Sequence, residues 1–133
     1  MEQQIGYCTT SDGVRIAYAT YGNDEAPPLL HLPEVPGQEA IWESPWGRAF
    51  FQEIARYRRL ITLDPRGGGG SQRDAARSRP ELLVIDVAAV VDHLRLDRFE
   101  LFAGGPVCCM QAVMYVGARP ERVSKLVLFT PTV

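Results

Sequence analysis

FELFAGGPVCCMQAV, residues Phe99 to Val113, reads as a strand, a tight turn and the opening of a helix. Phe99, Glu100, Leu101 and Phe102 make the strand, and the small-residue run Ala103-Gly104-Gly105 breaks it. From Pro106 to Ala118 the composition and length are those of a helix. Its first residue is proline, at a position where the missing N–H removes no intrahelical bond. A strand, turn and helix in this order carry either a nucleophile elbow or an anion-binding helix start, and the residues at the turn decide which.

Upstream, the β-rich segments Tyr7 to Thr10 and Val14 to Tyr21 flank Ser11-Asp12-Gly13, and Asp-Gly between two such runs predicts a hairpin. Gly22 to Pro28 reads as a loop, Leu29 to Leu32 as a short buried strand, and Pro33 to Gly37 as a second proline-rich loop. Ser44-Pro45 predicts a capped helix start, with Phe50, Phe51 and Ile54 on one apolar face as far as Arg56. Leu60 to Leu63 is the next strand, followed by the loop Asp64-Pro65-Arg66-Gly67-Gly68-Gly69-Gly70-Ser71. Ser78 and Glu81 have capping-box spacing, with Pro80 in the first turn, and Leu83, Val87, Val90 and Leu94 continue an amphipathic stripe. Downstream of the opening stretch, Ser124 to Phe129 is the last strand. Strands alternating with helices after a hairpin predict an α/β fold. It is a mostly parallel sheet of about six strands, with an antiparallel N-terminal hairpin and helices on both faces.

The chain has 133 residues, 46% of them apolar, and a net charge of −2. One domain over residues 1–133 is the expectation, and neither disorder nor a nucleic-acid-binding surface is indicated. With no long apolar run and no charged-then-apolar leader, the expectation is a cytoplasmic chain with no membrane span and no signal peptide. Cys8, Cys108 and Cys109 lack metal-ligand spacing and are expected to be reduced, so neither a metal nor a cofactor is expected.

Four pieces together resemble the N-terminal part of α/β-hydrolase-fold proteins: TTSDGVRIAYATYG, the His31 loop, DPRGGGGS and ARPERVSKLVLFTP. The resemblance is to the hydrolase-like domains found alone or attached to bacterial cyclase and LuxR-type regulators. It implies an ester-cleaving site built on a serine at the turn, and here this sequence departs from the family. The family's spacing from the Pro120 stretch puts the nucleophile at Pro106, so the expected G-x-S-x-G reads Gly104-Gly105-Pro106-Val107-Cys108. Proline has no nucleophilic atom and a fixed negative φ, which predicts a turn relaxed into an ordinary helix start. One oxyanion donor would be the Val107 N–H. The other should come from the residue two past His31, which is Pro33 and has no N–H. The family's acid and histidine follow later strands, so these residues complete no triad.

Each remaining candidate has a structural alternative. Cys108 is a weak candidate nucleophile and otherwise, with Cys109, a small core residue. His31 is either a base or ligand contact or a buried residue fixing its loop, and His93 is expected to face solvent. Asp64 and Arg66 are either an anion site or a structural ion pair. Trp42, Trp46, Phe50 and Phe51 either line an apolar pocket or pack the core. The surviving functional expectation is a non-catalytic pocket for a small molecule at the turn, formed by His31, Gly104, Gly105, Pro106, Val107 and Trp42. The alternative is an esterase-like hydrolase acting on a small ester or lactone. The flat apolar strand over residues 124–130 is expected to pair with a second copy or a complementing chain.

Overall fold

The computed structural model describes residues 2–34, 37–76 and 79–131. The chain opens with the hairpin β1 (Gln4–Thr9) and β2 (Arg15–Tyr21), paired antiparallel with Thr9 opposite Arg15. Its turn is closed by Thr10, whose hydroxyl accepts the Val14 N–H at 2.8 Å, and by Gly13 at φ 85°. β2 then pairs antiparallel with β4 (Arg59–Leu63), while β3 (Pro28–Leu32), β4, β5 (Phe99–Gly104) and β6 (Val123–Phe129) run parallel. The order across the six-stranded sheet is β1-β2-β4-β3-β5-β6, as the α/β reading anticipates.

Four helices accompany the sheet among the described residues: α1 (Gln38–Glu43), α2 (Pro45–Ala55), α3 (Pro80–His93) and α4 (Pro106–Ala118). α1 is not anticipated from sequence, because six residues are too few to establish a helical period. Ser44 joins it to α2: its N–H donates to the Ala40 and Ile41 carbonyls, and its hydroxyl accepts the Gly47 N–H at 3.3 Å. The predicted cap Ser78 lies outside the described residues, and α3 begins after Arg79 without a side-chain cap.

Strand alternation sorts side chains into two cores. Leu30, Leu32, Ile61, Leu63, Leu101 and Ala103 point to the face covered by α3 and α4. Ala19, Tyr21 and Leu60 point to the other, where Phe51 and Ala55 of α2 meet them. β6 is the sheet's edge strand, with Leu126, Val127 and Phe129 exposed. Among the described residues no helix is long and apolar enough to cross a membrane.

Candidate functional site

β3 and β5 are adjacent and parallel, with Leu32 opposite Ala103, yet the chain leaves them toward opposite edges of the sheet. That reversal makes a crevice at their carboxyl ends, where open α/β sheets place ligands. On one side stand His31, Leu32, Pro33 and Glu34; on the other stands the turn from Gly104 into α4.

The turn is sharp, and its special residue is Gly105, at φ 83° and ψ 159°. This backbone region is essentially closed to residues with a side chain. Pro106 is the first residue of α4 and the positive-φ tip of the turn is Gly105, so the turn has not relaxed into an ordinary helix start. Gly105 is anchored through its N–H, which donates to the Phe129 carbonyl at 3.0 Å and the Thr130 hydroxyl at 3.2 Å.

No side chain stands on Gly105, and the exposed Glu34 side chain lies beside it. A Cβ at that position would lie 2.7 Å from Glu34 Cγ and 3.2 Å from its Cδ. Glu34 was not anticipated as a site residue. The β3–β5 register is the signal that could have found it, since it carries the residues after Leu32 toward those after Ala103.

The two oxyanion donors fare differently. The first turn of α4 has no side-chain cap, and its first internal bond runs from the Cys109 N–H to the Gly105 carbonyl at 2.9 Å. Pro33 is buried, offers no N–H, and instead accepts the Cys108 thiol on its carbonyl at 3.2 Å. Cys109 donates at 3.5 Å to both the Ala103 and Phe129 carbonyls, and Cys8, Cys108 and Cys109 are not disulfide-bonded.

His31 is buried, and its Nδ1 donates to the Phe102 carbonyl at 3.2 Å. Its ring meets Phe102 edge-on at 4.8 Å between centroids, with Phe50 and Phe51 at 5.8 and 5.9 Å. Burial pushes its pKa down to about 4 against the opposing effect of the Phe102 carbonyl, so the ring is neutral at pH 7. Trp42 packs on Tyr21 at 5.1 Å, with the Arg48 guanidinium over its ring at 5.2 Å, as part of the α2-side core. Gly104 and Gly105 are buried, whereas Pro106 and Val107 are exposed at the crevice mouth.

Asp64 and Arg66 do not form the ion pair that sequence suggested as one alternative; each is occupied elsewhere. Asp64 accepts the N–H groups of Gly37 at 2.8 Å, Gln38 at 3.2 Å and Gly70 at 2.9 Å, tying the His31 loop to the glycine loop. Arg66 reaches Asp86 at 2.9 Å and holds Asp12 with two bonds of 2.7 and 3.0 Å, linking α3 to the hairpin turn. Neither side chain is left to hold an anion. No cluster among the described residues could hold a metal ion.

No protein-family model matches the chain. It is 32% identical over 129 residues to a Bacillus subtilis (strain 168) protein carrying the provisional name 2-succinyl-6-hydroxy-2,4-cyclohexadiene-1-carboxylate synthase, an alignment covering 93% of this chain and 43% of that one. A hydrolase from Pseudomonas aeruginosa PA01 superposes with a TM-score of 0.82 at 24% identity, covering 94% of this chain and 45% of its own. The esterase RhEst1 from Rhodococcus sp. ECU1013 gives 0.80 at 25% identity, with 93% and 44% covered. The chain therefore spans less than half the length of the relatives it matches, and its architecture is a partial α/β-hydrolase fold.

Proposed function

We propose that this chain is a hydrolase-fold module without ester-cleaving chemistry of its own, serving ligand binding or assembly. One observation carries the reading: the tip of the turn between β5 and α4 is Gly105, which has no side chain, and the residue after it, Pro106, is the first of α4 and has no nucleophilic atom. Pro33 adds to it independently, because one of the two expected oxyanion donors has no hydrogen to give. Cys108, the weak candidate nucleophile, lies beyond the tip within α4 and donates its thiol hydrogen to the Pro33 carbonyl. The esterase-like alternative draws on the company of RhEst1 and the Pseudomonas hydrolase, which share the scaffold at 25% and 24% identity.

The crevice retains the means to bind a small molecule. The uncapped first turn of α4 presents backbone donors beside Val107, and Gly104 and Gly105 allow close approach. His31 shapes the wall through its contacts with Phe50 and Phe102. The exposed Glu34 side chain stands at the same mouth, so an anionic ligand meets a carboxylate there. The test is a melting-temperature and amide-NMR screen of small carboxylates and lactones against the chain and Glu34→Ala. Movement of the Val107 amide, larger in Glu34→Ala, is the expected result; no shift in either protein rejects the binding role.

A further inference from the structure

Among the described residues, a single buried side-chain nitrogen or oxygen lacks a hydrogen-bond partner, and it is Nε of Arg59. Native proteins pair a buried donor of this kind with protein, water or a bound ion. Arg59 opens β4 opposite Pro28, at the end of the sheet away from the crevice, and the register shows what surrounds it. Thr20 lies opposite Ile61, Gln4 opposite Thr20 and Gly6 opposite Tyr18, so strand alternation puts Arg59, Thr20, Gln4 and Tyr18 on one face of the sheet. Gly6 makes room there: a Cβ on it would lie 2.5 Å from both Cζ and the hydroxyl oxygen of Tyr18, so the ring crosses over the edge strand. Between these residues and Leu94, at the end of α3, lies a pocket of about 250 Å³, several times the roughly 30 Å³ that a water takes in the liquid.

We infer that this pocket binds the oxoanion head group of a small acid, a carboxylate or a phosphate. The donor set is what such a group requires. Arg59 supplies a permanent positive charge and the buried Nε–H, while the Tyr18 and Thr20 hydroxyls and the Gln4 side-chain amide can each donate. No hydrogen bond within the described residues engages those three groups. Burial raises the Tyr18 pKa above its ordinary value of 10.0, so the hydroxyl keeps its proton at pH 7. A carboxylate of the chain already stands near the place a ligand's would take: Asp24 Oδ1 is 3.6 Å from Arg59 Nε, too far for a hydrogen bond, on a side chain that is 82% exposed and can swing away. The carbonyls that would repel an anion at the end of α3 are engaged, those of Val90, Val91 and Asp92 accepting the N–H groups of Leu94, Leu96 and Arg95. Arg66 shows the contrasting case, a guanidinium saturated by Asp12 and Asp86 with nothing left to offer. The Arg59 pocket is separate from the crevice and stands whether or not the crevice takes a ligand.

The test is an NMR titration of the chain with sodium acetate and, separately, sodium phosphate, with sodium chloride at matched ionic strength as control, following the Arg59 Nε–H and the Thr20 and Gln4 amides. Saturable movement of the Arg59 Nε–H with acetate, phosphate or both, absent with chloride, is the expected result. The salt that saturates at the lower concentration identifies the head group as planar or tetrahedral. Tyr18→Phe keeps the ring over Gly6, and Arg59→Lys keeps the charge without the Nε–H; each should weaken binding, the second by roughly tenfold. Asp24→Asn removes the internal competitor and should tighten binding about two- to fivefold. A response no greater than that to chloride overturns the inference, because the partner of Arg59 Nε is then water alone. So does saturable binding that both Arg59→Lys and Tyr18→Phe leave unchanged, because the ion then sits elsewhere.

Discussion

Glu34 and Gly105 face each other across the crevice: a Cβ at Gly105 would lie 2.7 Å from Cγ of the exposed Glu34 side chain. The turn keeps the sharp backbone of an elbow while lacking the atom an elbow exists to display. Sharpness here is a property of the β5–α4 connection, and glycine sustains it at φ 83°.

Introducing a nucleophile at the tip therefore carries a stability cost. Gly105→Ser combines a backbone conformation rare for L-residues with a collision against Glu34, and should lose about 1–3 kcal/mol in urea unfolding. Glu34→Ala in the same chain removes the collision and should recover part of the loss. Equal stabilities of the single and double variants would show that Glu34 does not fill that space.

The neutral state of His31 makes stability depend on pH. Its pKa is depressed to about 4 in the folded chain, below the ordinary value of 6.5, so the unfolded chain binds the extra proton between those values. Stability from this group is complete above pH 6.5 and falls as pH drops toward 4, by up to about 3 kcal/mol. His31→Gln, which keeps a donor for the Phe102 carbonyl and cannot titrate, should flatten the slope over that window. Urea midpoints at pH 4.5 and 7 measure it.

Arg66 is the larger structural liability. It is 2% exposed, and its partner Asp86 is fully buried. Arg66→Ala leaves the Asp86 carboxylate with only the residue-66 backbone N–H, at 2.9 Å, and should cost about 3–5 kcal/mol. Asp86→Asn in the same chain should return part of that loss, because the uncompensated charge is gone. A double variant as unstable as the single would place the cost in lost packing.

The three thiols should separate in a labelling experiment with an aromatic disulfide at pH 8. Cys8 is buried and its pKa is pushed up to about 11 by burial and the Asp86 charge, and Cys109 is buried beneath α4. Both should react only on unfolding, while half-buried Cys108 reacts first and slowly. Rapid labelling of Cys8 in the native chain would contradict the packing of β1 against α3.

Much of the fold was legible because its signals are local. The Asp-Gly hairpin, the strand at Leu29–Leu32, the Ser44 cap and the stripe from Leu83 to Leu94 each announce themselves within one element. The site was less so, because its geometry is made between elements. The sharp backbone falls at Gly105 where a relaxed helix start was expected, and Glu34 comes beside it only through the β3–β5 register. Asp64 and Arg66, two positions apart in sequence, serve two separate networks that only the folded loops reveal.

The central claim is tested most directly by hydrolysis of short p-nitrophenyl esters by the unmodified chain, with Cys108→Ala and Gly105→Ser alongside. The account predicts no turnover above buffer in any of the three: position 105 offers no nucleophile in the first two, and in Gly105→Ser the second oxyanion donor is still missing at Pro33. Turnover by the unmodified chain that disappears in Cys108→Ala would contradict it and make this a thiol hydrolase working from the first turn of α4.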